Sequence, residues 1–319
     1  MSKKKICVLG GGAWGKNHIK TLDKLGALGA IAEKNGDLLS KYKKQYPYVE
    51  TFKSLDKSLE NNFDGFIIAT PAETHFKLAK EIINNKKDLL VEKPLTLSIE
   101  ESETLVKLSK ENNVNLMVGH VLLFHPAIIK IKELIDSGKI GKLQYIYSNR
   151  LNLGKVRTEE NVFWSLAPHD ISIFQYFTDN SFPKKIKASG SAFLQKGIYD
   201  STLTTLEYEQ GVNGHIFVSW LHPFKEHRIV VVGSEAMISF EDSAEGKPLT
   251  LYSKKIDLVN GIPEKIDGPK ELIGYDEKMP LEAELEYFIN EEKPLIANGE
   301  NGLDVVKILV EASKQLDLK

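Results

Sequence analysis

The run Gly10-Gly11-Gly12-Ala13-Trp14-Gly15, directly behind the apolar stretch Ile6-Cys7-Val8-Leu9, constrains the fold of this chain more than any other feature. It fits G-x-G-x-x-G at the junction of a strand and a helix. In that position the first glycine makes a tight turn, the second lets a pyrophosphate approach the backbone, and the third allows close packing of helix on strand. The phosphates would sit at the helix N-terminus, where backbone N–H groups point outward. Helical spacing of Ile19, Leu22 and Leu25 predicts that helix over residues 14–25, and residues 28–32 read as the next strand. Glu33 ends it, roughly 20 residues beyond the glycines, where an acid accepts hydrogen bonds from ribose hydroxyls. Such an acid repels a 2′-phosphate, which favours NAD; Lys34 beside it keeps NADP as the alternative.

The same alternation continues through residue 120. Strands are expected over 63–70, 88–92 and 114–118, and a helix over 74–84, with Ser98 and Glu101 forming a capping box ahead of another helix. Short apolar runs alternating with amphipathic stretches make βαβ units and a parallel sheet. Beyond His120 the character changes. A helix near 126–137 ends at Gly138, and then Leu143, Tyr145 and Tyr147 alternate with Gln144, Ile146 and Ser148, as in a strand with two unlike faces. Further strand-like runs extend to Phe240, and helical spacing returns at 281–288 and 302–316. The expected architecture is α/β: a doubly wound Rossmann domain over 1–120, then an α+β domain with an open, mainly antiparallel sheet over 121–319. The C-terminal helices are expected to pack back on the first domain.

Composition narrows the function classes. The 319 residues carry 42 Lys+Arg against 44 Asp+Glu, a formal net charge of -2, so neither nucleic acid nor an anionic membrane is indicated as a partner. One cysteine, Cys7, can make neither an internal disulfide nor a cysteine-rich metal site, and reads as a small buried hydrophobe. The apolar run behind the basic N-terminus is too short for a secretory signal, so a cytoplasmic protein is expected. No histidine spacing builds a metal site, and none is expected.

Two more motifs fall at the carboxyl ends of predicted strands, the edge where doubly wound sheets bind ligands. They are Ala69-Thr70-Pro71 with His75 after it, and Glu92-Lys93-Pro94. A lysine so placed can hold a substrate hydroxyl or exchange its proton. Read singly, Lys93 is one lysine among many and His75 a helix-start hydrogen-bonder. In this order, ahead of a mixed α/β C-terminal half, the motifs resemble the Gfo/Idh/MocA family of glucose-fructose oxidoreductase and inositol dehydrogenase, along nearly the whole chain.

That resemblance implies a nicotinamide enzyme acting on sugars or polyols, with Gly10, Gly12, Ala13, Trp14, Gly15, Glu33, Thr70, Pro71, His75, Glu92 and Lys93 on the cofactor. It implies Lys93 and His169 as catalytic residues, and an open sheet that packs on neighbouring subunits, hence a homodimer or homotetramer. One departure bears on mechanism: the family often carries an aspartate four residues before the histidine, where this chain has Ser165. His169 is then the expected base, with Lys93 holding the hydroxyl. Asp170 reads at least as readily as a cap or ion-pair partner as a catalytic group.

The segment from Arg150 to Asp170 resembles the subgroup that oxidises C3 of UDP-linked 2-acetamido sugars, UDP-N-acetylglucosamine or its uronate, for surface polysaccharide. Arg150, Arg157 and Arg228 are the chain's only arginines. Arg150 and Arg157 suggest bidentate binding of phosphate or carboxylate, with pairing to Glu159 or Glu160 as the alternative. Asn152 is a candidate partner for a sugar hydroxyl or acetamido group, while Phe163 and Trp164 read as core. An NADPH-dependent ketosugar reductase, another sugar or polyol dehydrogenase, and a non-catalytic dinucleotide-binding regulator are the rival readings.

Overall fold

The computed structural model describes residues 4–291 and 293–316. They divide into two compact units. One runs from the N-terminal segment to Phe124 and includes Lys278–Lys307; the other comprises His125–Glu277 and the segment from Ile308.

In the first unit β1 (Ile6–Leu9), β2 (Leu28–Ala32), β3 (Glu50–Phe52), β4 (Gly65–Ile68), β5 (Asp88–Glu92) and β6 (Leu116–Gly119) form a sheet of order β3-β2-β1-β4-β5-β6. Every pairing is parallel. Strands covered on both faces must be apolar throughout, and all four residues of β1, β4 and β6 are buried. Cys7 is among them, and burial pushes its thiol up to about 12, which keeps it protonated and inert. The strand order reverses between β1 and β4, so the carboxyl ends of those strands bound the ligand crevice.

Helix α1 (Gly15–Leu25) buries His18, Ile19 and Leu22 and stops at Gly26, whose φ of 67° supplies the left-handed cap. Helices α2 (Gly36–Gln45) and α3 (Leu55–Leu59) follow β2 and β3. Neither is expected from the sequence pattern: α2 buries only Leu39 and Tyr42, and α3 only Leu55 and Ser58, too few positions to mark a helical stripe. Helix α4 (His75–Asn84) matches the expected span closely, and α5 (Ile99–Glu111) is capped by Ser98, whose hydroxyl accepts from Glu101 N at 3.1 Å.

The second unit opens with α6 (Pro126–Asp136) and β7 (Leu143–Leu153), followed by α7 (Val162–Phe177). Its sheet adds β8 (Lys185–Ser191), β9 (Ser201–Glu207), β10 (Asn213–Ser219), β11 (Leu221–Gly233), β12 (Met237–Glu241), β13 (Leu249–Tyr252) and β16 (Lys270–Leu272). The order is β16-β13-β12-β11-β7-β10-β9-β8, antiparallel except where β7 meets β10. A hairpin, β14 (Lys255–Val259) with β15 (Ile262–Ile266), stands apart from it. On β7 the expected alternation holds: Ile146, Ser148 and Arg150 are buried, while Tyr145 is exposed and Tyr147 half-exposed.

Helix α7 packs on the inner face of β10, β7 and β9, with Phe174 filling the space a side chain at Gly214 would need. Two helices close the described chain, α8 (Pro280–Asn290) in the first unit and α9 (Gly299–Leu316), which the division crosses after Lys307. No described helix is long and apolar enough to cross a membrane.

Candidate active site

The glycine run of the first unit separates into packing and open positions. Gly10 has φ 89°, and a Cβ there would fall 2.8 Å from the Ala69 carbonyl oxygen; a Cβ on Gly15 would fall 1.9 Å from that of Gly10. Gly12 alone of these has no atom within 4 Å of its missing Cβ, and it lines a cavity of about 380 Å³. The first turn of α1 follows with no side-chain cap at Trp14. No side chain covers that end, unlike those of α2, α5, α6 and α7, which Asn35, Ser98, His125 and Asn161 cap, although Lys16 N and Asn17 N already reach Gly12 O at 3.3 Å and Trp14 O at 2.8 Å.

Glu33, Lys34, Thr70 and Pro71 line the same cavity. The Glu33 carboxylate accepts from Gly11 N at 2.7 Å and from Asn35 N at 2.8 Å, so the acid is fixed against the glycine turn rather than swinging in solvent. An open glycine, an uncapped helix start and a fixed acid together fit a dinucleotide.

Other expected cofactor contacts have different partners. His75 is buried, with its ring nitrogens each 2.9 Å from a carbonyl oxygen, Pro94 O and Thr70 O; it clamps the two strand-end loops to each other instead of facing the cavity. Glu92 accepts from the indole N–H of Trp14, lies 2.7 Å from His18 Nε2, and takes Lys93 N at 3.2 Å. It thereby ties the end of β5 to the start of α1, and Trp14 keeps an exposed ring but not a free N–H. Ala13 is exposed beside it.

Lys93 leaves this strand end half-buried. His120, next to Gly119 in the register that pairs Gly119 with Glu92, is buried, and neither ring nitrogen has a hydrogen-bond partner among the described residues. Burial first, and the Lys93 charge second, push its imidazole down to about 3, so it is neutral at any working pH. Glu284 on α8 is likewise fully buried with both carboxyl oxygens unpartnered among the described residues. Burial and the charge of Glu92 hold it well above the usual carboxylate range. Sequence reasoning places His120 at the end of a strand, where it could face the ligand crevice, and misses His18 and Glu284. The spacing of Trp14 and His18, i and i+4 on α1, was the available signal.

In the second unit His169 sits on α7, half-buried, directly after Pro168. Asn161 caps this helix by accepting from Phe163 N and Trp164 N at 3.0 and 3.1 Å. Phe163 is core and Trp164 donates to Ser313 Oγ at 2.9 Å, as their reading as packing residues implies.

The two candidate arginines part company. Arg150 is buried and holds Asp170 in a fork, Nε to Oδ2 at 2.8 Å and Nη2 to Oδ1 at 3.0 Å. It faces inward from β7, so it pairs with Asp170 rather than with Glu159 or Glu160, and the fork expected to take a substrate anion is already filled. Arg157 does make the alternative pairing, with Glu160, but at 3.9 Å and with its side chain 43% exposed. Asn152 is half-buried, with its amide folded over Gly154. The first unit can thus cradle a dinucleotide and present a lysine; the second presents a histidine, an exposed arginine and an amide.

Known proteins match the two parts of the chain separately. Residues 4–120 match the model of an oxidoreductase family with an NAD-binding Rossmann fold, and residues 128–239 the C-terminal domain of the Gfo/Idh/MocA proteins. The scyllo-inositol 2-dehydrogenase (NAD(+)) of Bacillus subtilis is 30% identical over 63% of this chain, a stretch that covers 61% of that enzyme. The UDP-N-acetylglucosamine 3-dehydrogenase of Acidithiobacillus ferrooxidans is 26% identical over 97% of both chains. A solved structure of that enzyme has a TM-score of 0.87 at 23% identity, covering 99% of this chain and 98% of its own.

Proposed function

The chain belongs to the Gfo/Idh/MocA family of NAD-binding oxidoreductases, and on that premise we propose that it oxidises C3 of a UDP-linked 2-acetamido sugar to the ketone. The observation that carries this reading is the likeness over 97% of both chains to a UDP-N-acetylglucosamine 3-dehydrogenase.

Gly12, the first turn of α1 and Glu33 would hold the dinucleotide, and Glu33 disfavours a 2′-phosphate there. Bound NAD supplies the acceptor for the hydride that leaves the carbinol carbon. His169 takes the hydroxyl proton as general base, a role that Asp170 cannot share because its carboxylate is held by Arg150. Lys93 holds the same hydroxyl and stabilises the oxygen as the proton leaves. Arg157 takes the diphosphate, Asn152 the acetamido group or a ring hydroxyl.

Assembly in the cytoplasm as a homodimer or homotetramer belongs to the same reading, supported by Tyr145 and Leu203, exposed on strands of the second unit's sheet. NADH formation across UDP-sugars, their uronates and free inositols, with the product mass checked, tests it. Turnover of UDP-N-acetylglucosamine or its uronate to a 3-keto product is expected. The 30% identity to an inositol dehydrogenase favours a second reading, and turnover of free polyols alone would replace the first with it.

A further inference from the structure

Between β8 and β9 the second unit presents two large apolar side chains to solvent, Phe193 at 69% exposure and Leu194 at 55%. Their backbone is nevertheless held from inside. Asp200, fully buried, accepts from Phe193 N at 2.6 Å and Leu194 N at 2.9 Å through Oδ2, and from Trp220 Nε1 at 2.5 Å through Oδ1. Removing a carboxylate from water is expensive unless its hydrogen bonds are replaced, and here two of the three N–H donors that replace them belong to the exposed pair. The outcome is an aromatic ring on a fixed stalk.

The adjoining loop completes the surface. Gln195 Nε2 donates to the Arg157 carbonyl at 2.8 Å, and Val162 N donates to Tyr199 O at 2.9 Å, so segments 154–162 and 193–200 lie side by side. These two segments carry Lys155, Arg157 and Lys196 as well as Phe193. Of the acids in the same loop, Glu159 is turned back onto the N–H and hydroxyl of Thr158, and Glu160 forms a long, half-exposed ion pair with Arg157 at 3.9 Å that a diphosphate can displace. An exposed aromatic ring on one of two paired segments that together carry a guanidinium and two ammonium groups matches one ligand chemistry well: an aromatic base joined to a diphosphate.

We propose that this loop pair is the subsite for a nucleoside diphosphate moiety. Phe193 stacks on the base and Arg157 binds the diphosphate, while Asp200 and Gln195 are positioning residues that fix where those two groups stand. The proposal deepens the nucleotide-sugar reading and rests on it.

The test titrates UDP and inorganic pyrophosphate into the full-length protein by calorimetry and measures KM and kcat for the UDP-sugar. Phe193→Ala is expected to weaken UDP about tenfold, the loss of one stacked base, and to leave pyrophosphate unchanged; Phe193→Tyr restores UDP affinity. Arg157→Ala weakens both probes. Gln195→Ala and Asp200→Asn raise KM for the UDP-sugar while kcat holds, a split that general destabilisation does not give. Should Asp200→Asn fail to fold, the Phe193 series decides alone.

Unchanged UDP affinity in Phe193→Ala overturns the subsite while turnover of UDP-sugars leaves the nucleotide-sugar reading standing. Unchanged UDP affinity with an altered mass by light scattering also overturns it, and gives the ring to a second copy of this chain. A wild-type protein that ignores UDP and oxidises only free polyols removes both readings together.

Discussion

Arg150 and Asp170 hold one another in a buried two-bond fork between β7 and α7. Because Asp170 follows His169 in the same helix, the fork fixes the helix on which the proposed base stands. It also removes from consideration two groups that, read from sequence, were candidates for binding and catalysis.

Breaking that pair is expected to act on stability. Arg150→Met or Asp170→Asn alone should cost about 3–5 kcal/mol, because each leaves a buried partner uncompensated. The double variant should cost much less than the sum. Arg157→Ala, on an exposed loop, should leave stability within about 0.5 kcal/mol and raise substrate KM. Urea unfolding of the double-mutant cycle, with KM measured beside it, distinguishes the two arginines.

The glycines should divide in the same manner. Gly12→Ala meets no atom within 4 Å and should fold normally while weakening dinucleotide binding. Gly15→Ala would set its Cβ 1.9 Å from a backbone oxygen and should lose the folded unit. Thermal melts with and without NAD provide the comparison, and equal NAD affinity in Gly12→Ala would contradict its place against the pyrophosphate.

Lys93→Ala and His169→Ala should each lower kcat by about 10²–10⁴-fold, the usual contribution of a positioned acid or base. NAD affinity, followed by quenching of tryptophan fluorescence, should change little. Full turnover in both variants contradicts the assigned roles.

Glu284 makes the protein less stable as pH rises. Its carboxyl is held well above the usual value of 4.5, so above that pH the folded state keeps a proton that the unfolded chain releases. Stability on this account is lost from about pH 4.5 up to the raised value and is level beyond it. Glu284→Gln should therefore match the wild type near pH 4 and exceed it at pH 8, by denaturant titration at each pH.

His120 acts in the opposite sense. Its folded value near 3 lies below the ordinary 6.5, so between those limits the unfolded chain binds the extra proton and stability falls as pH falls. His120→Leu should gain on the wild type by up to about 1.4 kcal/mol per pH unit below pH 6.5. A difference that is flat with pH would show that this ring is not buried neutral.

How much of this was legible beforehand follows from the range of the interactions. The first unit is written locally: β1, the glycine turn, α1 and β2 lie within 33 residues, with Gly15 set against Gly10 and Gly10 against the end of the next parallel strand. Periodicity and turn chemistry therefore determined the Rossmann domain, the dinucleotide cradle, Glu33 and the strand-end position of Lys93. Tertiary structure alone decided which side chains remain for chemistry. Arg150 meets Asp170 across 20 residues, Trp14 and His18 meet Glu92 across more than 70, and Glu284 is buried beside Glu92 from the far end of the chain. A charged side chain removed from water must find its partner wherever the fold supplies one, or give up its charge, and no spacing in the sequence records that distance.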